Sequence, residues 1–154
     1  MDYIKTTLEE DLEGILEVAQ HSFNDFYPEQ KLLKRAKGRK IWTYVSKDDE
    51  KIVGFKIWYE DDGEIYDWLD AVHPDYQRRG ISSNLFLIMF DESIKNNYTK
   101  IKLKTHEGYP EMISLCKKLG FVEVNREPHH WRDTIDKEAI FFEYDLQQHK
   151  PLNS

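Results

Sequence analysis

The sequence predicts an α/β fold of the α+β kind, with one central, mixed and mostly antiparallel sheet flanked by helices on both faces. Three observations predict it. Four segments show helical periodicity, seven shorter segments show the alternation of strands, and one helical segment joins two strands over enough residues for a parallel crossover. The 154 residues are enough for one domain, predicted over residues 1–148 with a flexible tail over 149–154.

The N-terminal part is predicted to form a strand followed by two helices. Residues 2–6 have the pattern of a short strand, and Thr7 can cap a helix. That helix would carry apolar residues at helical spacing: Leu8, Leu12, Ile15, Leu16 and Ala19. A second helix is predicted over residues 29–36, because Pro28 suits a first turn and Gly38 suits a stop.

A meander of three strands follows. IWTYVSK and IVGFKIWYE alternate in hydrophobicity on either side of a polar turn at residues 47–51, which predicts an antiparallel hairpin. Asp62-Gly63 favours the next turn. The third strand is EIYDWLDAV, over residues 64–72, and His73-Pro74 ends it.

The second half alternates helices and strands. A helix is predicted over residues 81–97, and KIKLKT reads as a strand because two aliphatic residues alternate with three lysines. Residues 110–119 form another amphipathic helix, stopped by Gly120. FVEV and AIFFEYDL are the predicted closing strands, with a loop over residues 126–133 between them.

The charge balance argues against a protein that mainly binds nucleic acid. The chain has 22 Lys and Arg against 29 Asp and Glu, a formal net charge of −7, whereas nucleic-acid partners favour a basic surface. An acidic surface favours cationic partners such as amines, although mild acidity also aids solubility by itself. The predicted partner is a small amine or a peptide, with no nucleic acid and no membrane, and a homodimer is left open.

The sequence also bears on location and metals. The start MDYIKTTLEEDLEG has no basic and apolar leader, and no later segment reaches the apolar length of a membrane span. Cys116 is the single cysteine, so no internal disulfide forms, and the reducing cytoplasm fits best. His106-Glu107 lacks the second histidine of a zinc motif, and His129-His130 has no nearby ligand, so no metal is predicted.

One stretch, VHPDYQRRGISSNLF at residues 72–86, combines two arginines and a glycine at the junction between a predicted strand and a predicted helix. Such a junction brings unpaired N–H groups and the positive end of the helix dipole together, and this arrangement attracts phosphate. Gly80 leaves room for an anion, and Ser82 and Ser83 are small. A solvated basic loop is the alternative interpretation, because neither a P-loop nor a dinucleotide fingerprint is present.

The pattern V-x-P-x-Y-Q-R-R-G-I-S, followed by a second helix ending in KKLGF at residues 117–121, resembles the GNAT acetyltransferase superfamily. In that family Q/R-x-x-G-x-G/A binds the pyrophosphate of acetyl-CoA. The resemblance implies that role for Gln77, Arg78, Arg79, Gly80, Ile81 and Ser82, with Ser83 beside them. It also implies that the strands holding residues 70–72 and Ile101 splay apart, with the pantetheine arm bonding the backbone at Ala71 and Val72.

The implied activity is direct transfer of an acetyl group from acetyl-CoA to a primary amine of a small molecule or peptide. The alternative is a non-catalytic acyl-CoA-binding regulatory module. Strand alternation predicts Tyr66, Trp68, Asp70 and Val72 on one face, which the resemblance directs toward the acceptor. Asp70 could act as the base or attract a cationic amine, or it could be a strand carboxylate paired with a lysine or arginine. Tyr66 could line the acceptor pocket or simply pack.

The candidate acid departs from the family pattern. Family members often have a tyrosine at the position of Cys116, where its hydroxyl protonates the departing thiolate. A thiol could supply that proton, but Cys116 also lies on an apolar stripe, and the packing interpretation is favoured. Tyr109 replaces the usual asparagine and could contact the pantetheine arm or assist the proton transfer.

Overall fold

The structure, a computed structural model, describes residues 1–22, 29–131 and 134–149. The strands are β1 Asp2–Thr6, β2 Ile41–Asp48, β3 Lys51–Asp61, β4 Glu64–Val72, β5 Lys100–His106, β6 Val122–Trp131 and β7 Thr134–Asp145. The helices are α1 Leu12–Ser22, α2 Glu29–Ala36, α3 Ile81–Lys95 and α4 Pro110–Leu119, and Pro74–Tyr76 and Leu146–Gln148 form 3₁₀ turns.

The strands form one sheet in the order β1-β2-β3-β4-β5-β7-β6. Strand β4 pairs with β5 in parallel through Ile65–Asp67, as the long connection through α3 predicts. The pairs β1–β2, β2–β3, β5–β7 and β6–β7 are antiparallel. The predicted mixed, mostly antiparallel sheet is therefore confirmed.

The chain divides into two compact units. The first comprises Met1–Glu60 and Trp68–Met89, and the second comprises Asp61–Asp67 and Phe90–Ser154. Strand β4 and helix α3 each contribute residues to both units. The single domain over residues 1–148 stays a prediction.

Helices pack on both faces of the sheet in the first unit. The core on one face, called the α2 face, combines α1 and α2 residues with strand residues: Leu8, Ile15, Val18, Ala19, Leu32, Ala36, Val45, Phe55, Ile57 and Ala71. The core on the other face, called the α3 face, consists of Val53, Ile81 and Leu85, with Tyr3, Tyr44, Val72 and Tyr76 packed against it. Neighbouring residues of β2 alternate between the two faces, since Tyr44 faces α3 and Val45 faces α1 and α2.

The second unit has an aromatic core of its own. Phe90 stacks on Tyr144 with ring centroids 4.4 Å apart, and burial raises the pKa of Tyr144. His149, the first residue of the predicted tail, packs its ring against Phe90 and places Nε2 3.1 Å from Asp91 Oδ1. Residues 150–154 lie outside the described residues.

Helix α1 begins later than predicted. Thr7 does cap the chain, since its Oγ1 accepts the Glu10 N–H at 3.1 Å, but it closes a turn and not the helix. One backbone bond, from the Asp11 N–H to the Thr7 carbonyl at 3.3 Å, closes this turn, and α1 follows with the Ile15 N–H donating to the Asp11 carbonyl at 3.0 Å. The prediction failed because threonine favours a short turn as readily as a helix start.

The last two strands are longer than predicted, and the loop predicted over residues 126–133 is wrong in part. Strand β6 continues to Trp131, which pairs with Thr134 at the start of β7. The polar sequence NREPHHW shows no hydrophobic alternation, so it resembled a loop. Strand β6 lies at the edge of the sheet, where a strand tolerates Pro128 and polar side chains. Residues 132 and 133 lie outside the described residues.

Candidate functional site

The stretch between β4 and α3 is an exposed loop with two residues in the left-handed region. A 3₁₀ turn comes first, and His73 caps it, with Nδ1 accepting the Asp75 N–H at 3.1 Å. Arg78 then has φ 64° and Gly80 has φ 78°. Left-handed residues in such a turn can direct successive N–H groups toward one point and form an anion-binding concavity.

Helix α3 begins directly after this loop. The Asn84 N–H donates to the Gly80 carbonyl at 3.0 Å, so Gly80 is the N-cap residue. The N–H groups of residues 81–83 therefore have no acceptor within the helix, and they lie at its positive end. Ile81 is 3% exposed and packs with Val53 and Leu85, so the core fixes this helix start.

A glycine is needed at position 80 because of its backbone conformation, and not because neighbouring atoms leave no room for a side chain. A Cβ added to Gly80 would have no atom within 4 Å, yet φ 78° strains any residue with a side chain. The space around it is open to solvent. An anion can therefore reach the N–H groups of the helix start.

Tyr76 anchors this loop and orients one of its arginines. The Tyr76 hydroxyl donates to Asp48 Oδ2 at 2.6 Å, and this hydrogen bond raises the pKa of Tyr76. The Arg79 Cζ lies 4.8 Å from the Tyr76 ring centroid, within range of a cation–π interaction. Sequence reasoning gave Tyr76 no role, although it lies in the quoted motif.

The end of β4 is held by side-chain and backbone bonds. Ser22 Oγ donates to the Val72 carbonyl at 3.2 Å, and the His73 N–H donates to the Val53 carbonyl at 2.8 Å. Ala71 is buried on the α2 face. A carbonyl oxygen has two lone pairs, so the Val72 oxygen can accept one more bond.

Asp70 pairs with a buried lysine of the neighbouring strand β3. Lys56 Nζ lies 2.8 Å from Asp70 Oδ2 and 3.5 Å from the ring centroid of Phe86 in α3. The Lys56 side chain is 0% exposed and that of Asp70 is 20% exposed. A strand carboxylate paired with a lysine or arginine was one of the predicted interpretations of Asp70, and the structure shows such a pair. Lys56 was missed, although a lysine in the apolar run IVGFKIWYE was the signal.

The predicted shared face of β4 is wrong. Asp70 and Val72 contact groups of the α3 face, namely Lys56 and the core around Ile81. Trp68 instead packs with the core of the α2 face. Leu69, the next residue, packs there too, so two successive side chains share a face and strict alternation breaks at this point.

The other three candidate residues belong to the second unit. Tyr66 lies opposite Lys102 in the β4–β5 pairing. Tyr109 is the N-cap residue of α4, is 40% exposed and has its ring 4.7 Å from that of His106. Cys116 is 0% exposed within α4, where its carbonyl accepts the Phe121 N–H at 2.9 Å.

Residues 6–121 match the model of the acetyltransferase (GNAT) family. This chain belongs to the GNAT acetyltransferase family. The resemblance read from QRRGIS and KKLGF is thereby confirmed. A GNAT acetyltransferase takes its acetyl group from acetyl-CoA. The N–H groups at the start of α3, the open space at Gly80 and the two arginines before it are chemically suited to an anionic pyrophosphate.

Solved structures share the GNAT fold over nearly the whole chain. The ribosomal-protein-S18-alanine N-acetyltransferase from Escherichia coli has a TM-score of 0.84 at 22% identity, covering 98% of each chain. A variant spermidine N-acetyltransferase from Vibrio cholerae has a TM-score of 0.78 at 15% identity, covering 96% of each. An aminoglycoside 6′-N-acetyltransferase complexed with coenzyme A has 0.80 at 12%, covering 97% of this chain and 99% of the other. A search of curated proteins finds no match.

Two of the three lysines of β5 in this GNAT acetyltransferase, Lys100 and Lys102, pair with carboxylates. Lys100 Nζ lies 2.8 Å from Glu143 and 3.4 Å from Glu64, and these hydrogen bonds raise the pKa of Lys100. Lys102 lies 3.1 Å from Asp61. Burial lowers the pKa of Lys102, but the hydrogen bonds and negative charges of Asp61 and Glu64 together outweigh burial, so the pKa is raised. These lysines are therefore poorly suited to bind nucleic acid phosphates.

The described part of the chain shows neither a metal-ion site nor a helix that could span a membrane. No group of three or more His, Cys, Asp or Glu side chains there could hold a metal ion. None of the helices described has the length and apolarity that a membrane crossing requires. The cytoplasmic location stays a prediction.

Proposed function

We propose that this chain moves an acetyl group from acetyl-CoA directly to a primary amine of a small molecule or a peptide. The exposed loop over residues 77–80, with the start of α3 at residues 81–83, carries the proposal, because it combines N–H groups that have no acceptor within the helix with two arginines. Acetyl-CoA would supply an activated thioester. The residues of this chain would bind the donor, orient it and manage the proton of the amine.

The loop would hold the pyrophosphate. The backbone N–H groups of residues 80–83 would donate to its oxygens, and Gln77, Arg78 and Arg79 would add side-chain donors and positive charge. The pantetheine arm would bond the backbone at Ala71 and Val72, where the Val72 oxygen has a lone pair left. Tyr109, which is 40% exposed, is proposed as a further contact for that arm.

The chemistry requires a neutral amine, stabilisation of the carbonyl oxygen and a proton for the thiolate. Asp70 is proposed to accept the proton of the amine, or to attract the cationic amine, with Lys56 fixing its carboxylate at 2.8 Å. Tyr66 is proposed to line the acceptor pocket. Complete burial of Cys116 supports packing over proton donation.

Binding of the donor tests the proposal first. Titration calorimetry with coenzyme A should give a measurable dissociation constant, and Arg79→Gln should raise it about tenfold, because a charge-assisted hydrogen bond is lost. Lys118→Gln is the matched control, an exposed cation on α4 that should change the constant less than about twofold. Neither heat nor thermal stabilisation at saturating coenzyme A would exclude the proposed function.

A non-catalytic acyl-CoA-binding module is the second candidate, favoured by a buried thiol at the position of the usual tyrosine. Release of free thiol from acetyl-CoA over a broad panel of amines separates the two. Turnover above background supports the enzyme, whereas binding with background turnover supports the module. Cys116→Ala should leave the rate near that of the natural chain, and a lost rate in folded protein would assign Cys116 to the chemistry.

A further inference from the structure

The two helices of the α2 face carry charges of opposite sign. Residues 6–22, which include α1, contain five acidic residues and no lysine or arginine, whereas residues 31–40, which include most of α2, contain six basic residues and no acidic one. The acidic residues are Glu9, Glu10, Asp11, Glu13 and Glu17, and the basic ones are Lys31, Lys34, Arg35, Lys37, Arg39 and Lys40. Blocks of a single sign raise the local potential and attract the opposite charge.

The charged side chains form one stripe on the outer side of each helix. Glu13 and Glu17, the acidic stripe, are one turn apart and exposed, opposite the buried residues of α1. Lys31 and Lys34, the basic stripe, are likewise exposed, opposite the buried residues of α2. The buried residues of both helices belong to the core of the α2 face. The acidic and basic stripes therefore lie on the same side of the first unit.

Helix dipoles explain only part of this arrangement. Glu13 lies in the first turn of α1 and Lys34 in the last turn of α2, where the dipole favours each charge. Glu17, however, lies in the middle of α1, and Lys31 lies in the first turn of α2, where the dipole disfavours a cation. Like charges three or four residues apart on a helix also repel each other. Both stripes therefore lower the stability of their own helix, which an opposite charge from outside would restore.

The two stripes do not neutralise each other within one chain. Over the residues that the structure describes, no ion pair joins Glu13 or Glu17 to a basic residue, and none joins Lys31 or Lys34 to a carboxylate. All four side chains are exposed. Their charges are therefore available to a partner.

The surface favours a protein partner that carries both signs of charge. A nucleic acid bound along the basic stripe would meet the acidic stripe on the same side of the unit, on a chain with a net charge of −7, and would be repelled by it. Leu12 and Leu16 of α1 and Leu33 of α2 are only partly buried against the core, and such apolar area contributes to protein interfaces.

We propose that a second copy of this chain occupies this surface, with α1 of each copy against α2 of the other. A two-fold interface must be self-complementary, because each contact between two positions occurs twice with the copies exchanged. A two-fold axis that lies in the interface between α1 and α2 brings the acidic stripe of each copy to the basic stripe of the other. A surface of a single sign would repel its own copy under the same symmetry.

Reversal of each stripe by itself tests this inference. Sedimentation equilibrium of the natural chain should show a monomer–dimer equilibrium. Two double variants, Glu13→Lys with Glu17→Lys and Lys31→Glu with Lys34→Glu, should each raise the dimer dissociation constant about tenfold or more, because like charges then face each other. An equimolar mixture of the two variants should dimerise within about threefold of the natural chain, since every contact again joins opposite charges.

A matched control and the salt dependence complete the test. Lys117→Glu with Lys118→Glu reverses two exposed lysines of α4 and makes the same change in net charge, so this variant should dimerise like the natural chain. Raising the salt from about 0.1 M to about 1 M should raise the natural dissociation constant about tenfold, because the screening length falls from roughly 10 Å to roughly 3 Å. Circular dichroism verifies that each variant is folded.

Several results would overturn the inference. These are a natural chain that stays monomeric at low salt, a dimer that either stripe variant retains, and a mixture of folded variants that stays monomeric. Binding of poly-glutamate or of a DNA duplex by a monomeric natural chain, lost in Lys31→Glu with Lys34→Glu, would assign the basic stripe to a different anionic partner and would likewise overturn it.

Discussion

The loop over residues 77–83 and the Lys56–Asp70 pair belong to the same unit but are built in opposite ways. The loop is exposed over residues 77–80, and the groups proposed to bind coenzyme A are backbone N–H groups at a helix start. The pair is made of side chains, and its lysine is completely buried. Changes in the loop should therefore appear as lost affinity, whereas changes in the pair should appear first as lost stability.

The energetics of the pair follow from desolvation. Removing an ammonium from water costs several kcal/mol, and the attraction to a close carboxylate offsets that cost only while both partners are present. The pair is consequently weak evidence of stability in itself. Replacing either Lys56 or Asp70 alone should nevertheless lower the free energy of unfolding, because the other charge loses its partner.

The largest expected effect is that of Asp70→Asn. This change removes a charged partner 2.8 Å from the buried Lys56 ammonium, so we expect the free energy of unfolding to fall by about 3–5 kcal/mol. Urea denaturation measures it. The double variant Lys56→Met with Asp70→Leu should recover most of the loss, because two apolar groups replace the pair.

A loss below about 1 kcal/mol in the single variant would contradict this view of the pair, since a buried ion pair has larger single-site effects. The stability of Asp70→Asn must also be known before Asp70 can be tested as the base. A lower rate in Asp70→Asn counts only in protein shown to be folded, and an unchanged pH profile of kcat/KM would remove Asp70 from the role of base.

Gly80→Val tests the loop and has a matched control in Gly63→Val. Both glycines have φ 78° and no atom within 4 Å of an added Cβ, so each change should cost about 1–2 kcal/mol of stability. Only Gly80→Val should weaken coenzyme A binding, by about tenfold or more, because it alone alters the helix start. Equal effects of the two changes on the dissociation constant would show that the loop is not the binding site.

Much of the fold could be predicted because local patterns determine it. The alternation in IWTYVSK and IVGFKIWYE, the turn at Asp62-Gly63 and the helix ending at Gly120 all needed only neighbours in sequence. Strand β6 beyond residue 125 could not be predicted, because its polar residues form a strand by pairing with β7 at the edge of the sheet.

The candidate site likewise has one part that could be predicted from the sequence and another part that could not. The loop could be predicted, since its N–H groups come from consecutive residues between a strand and a helix. The Lys56–Asp70 pair and the Tyr76–Asp48 bond join residues far apart in sequence. The break in the alternation of β4 after Trp68 also escaped prediction, because no residue type there identifies it.

Tyr76→Phe should have the smallest effect of these changes. It separates the contribution of the Tyr76–Asp48 bond to coenzyme A binding from that of Arg79. The change keeps the ring under Arg79 but removes the bond to Asp48, so coenzyme A affinity should fall by less than in Arg79→Gln. The bond to Asp48 raises the folded pKa of Tyr76 above 10.0. The stabilisation that this bond gives the folded chain is therefore fully present below the pKa of Tyr76 in the unfolded state. It is lost as pH rises through the pKa of Tyr76 in the folded state.

We accordingly expect the natural chain to melt at a higher temperature than Tyr76→Phe by a constant margin between about pH 6 and pH 9, with the margin closing above about pH 10. Thermal denaturation followed by circular dichroism measures both proteins across this range. A margin that widens above pH 10 would mean that the phenolate is the form the folded chain prefers, which the acidic acceptor Asp48 does not allow. The loop would then be held by Arg79 and its cation–π contact instead of by the Tyr76–Asp48 bond.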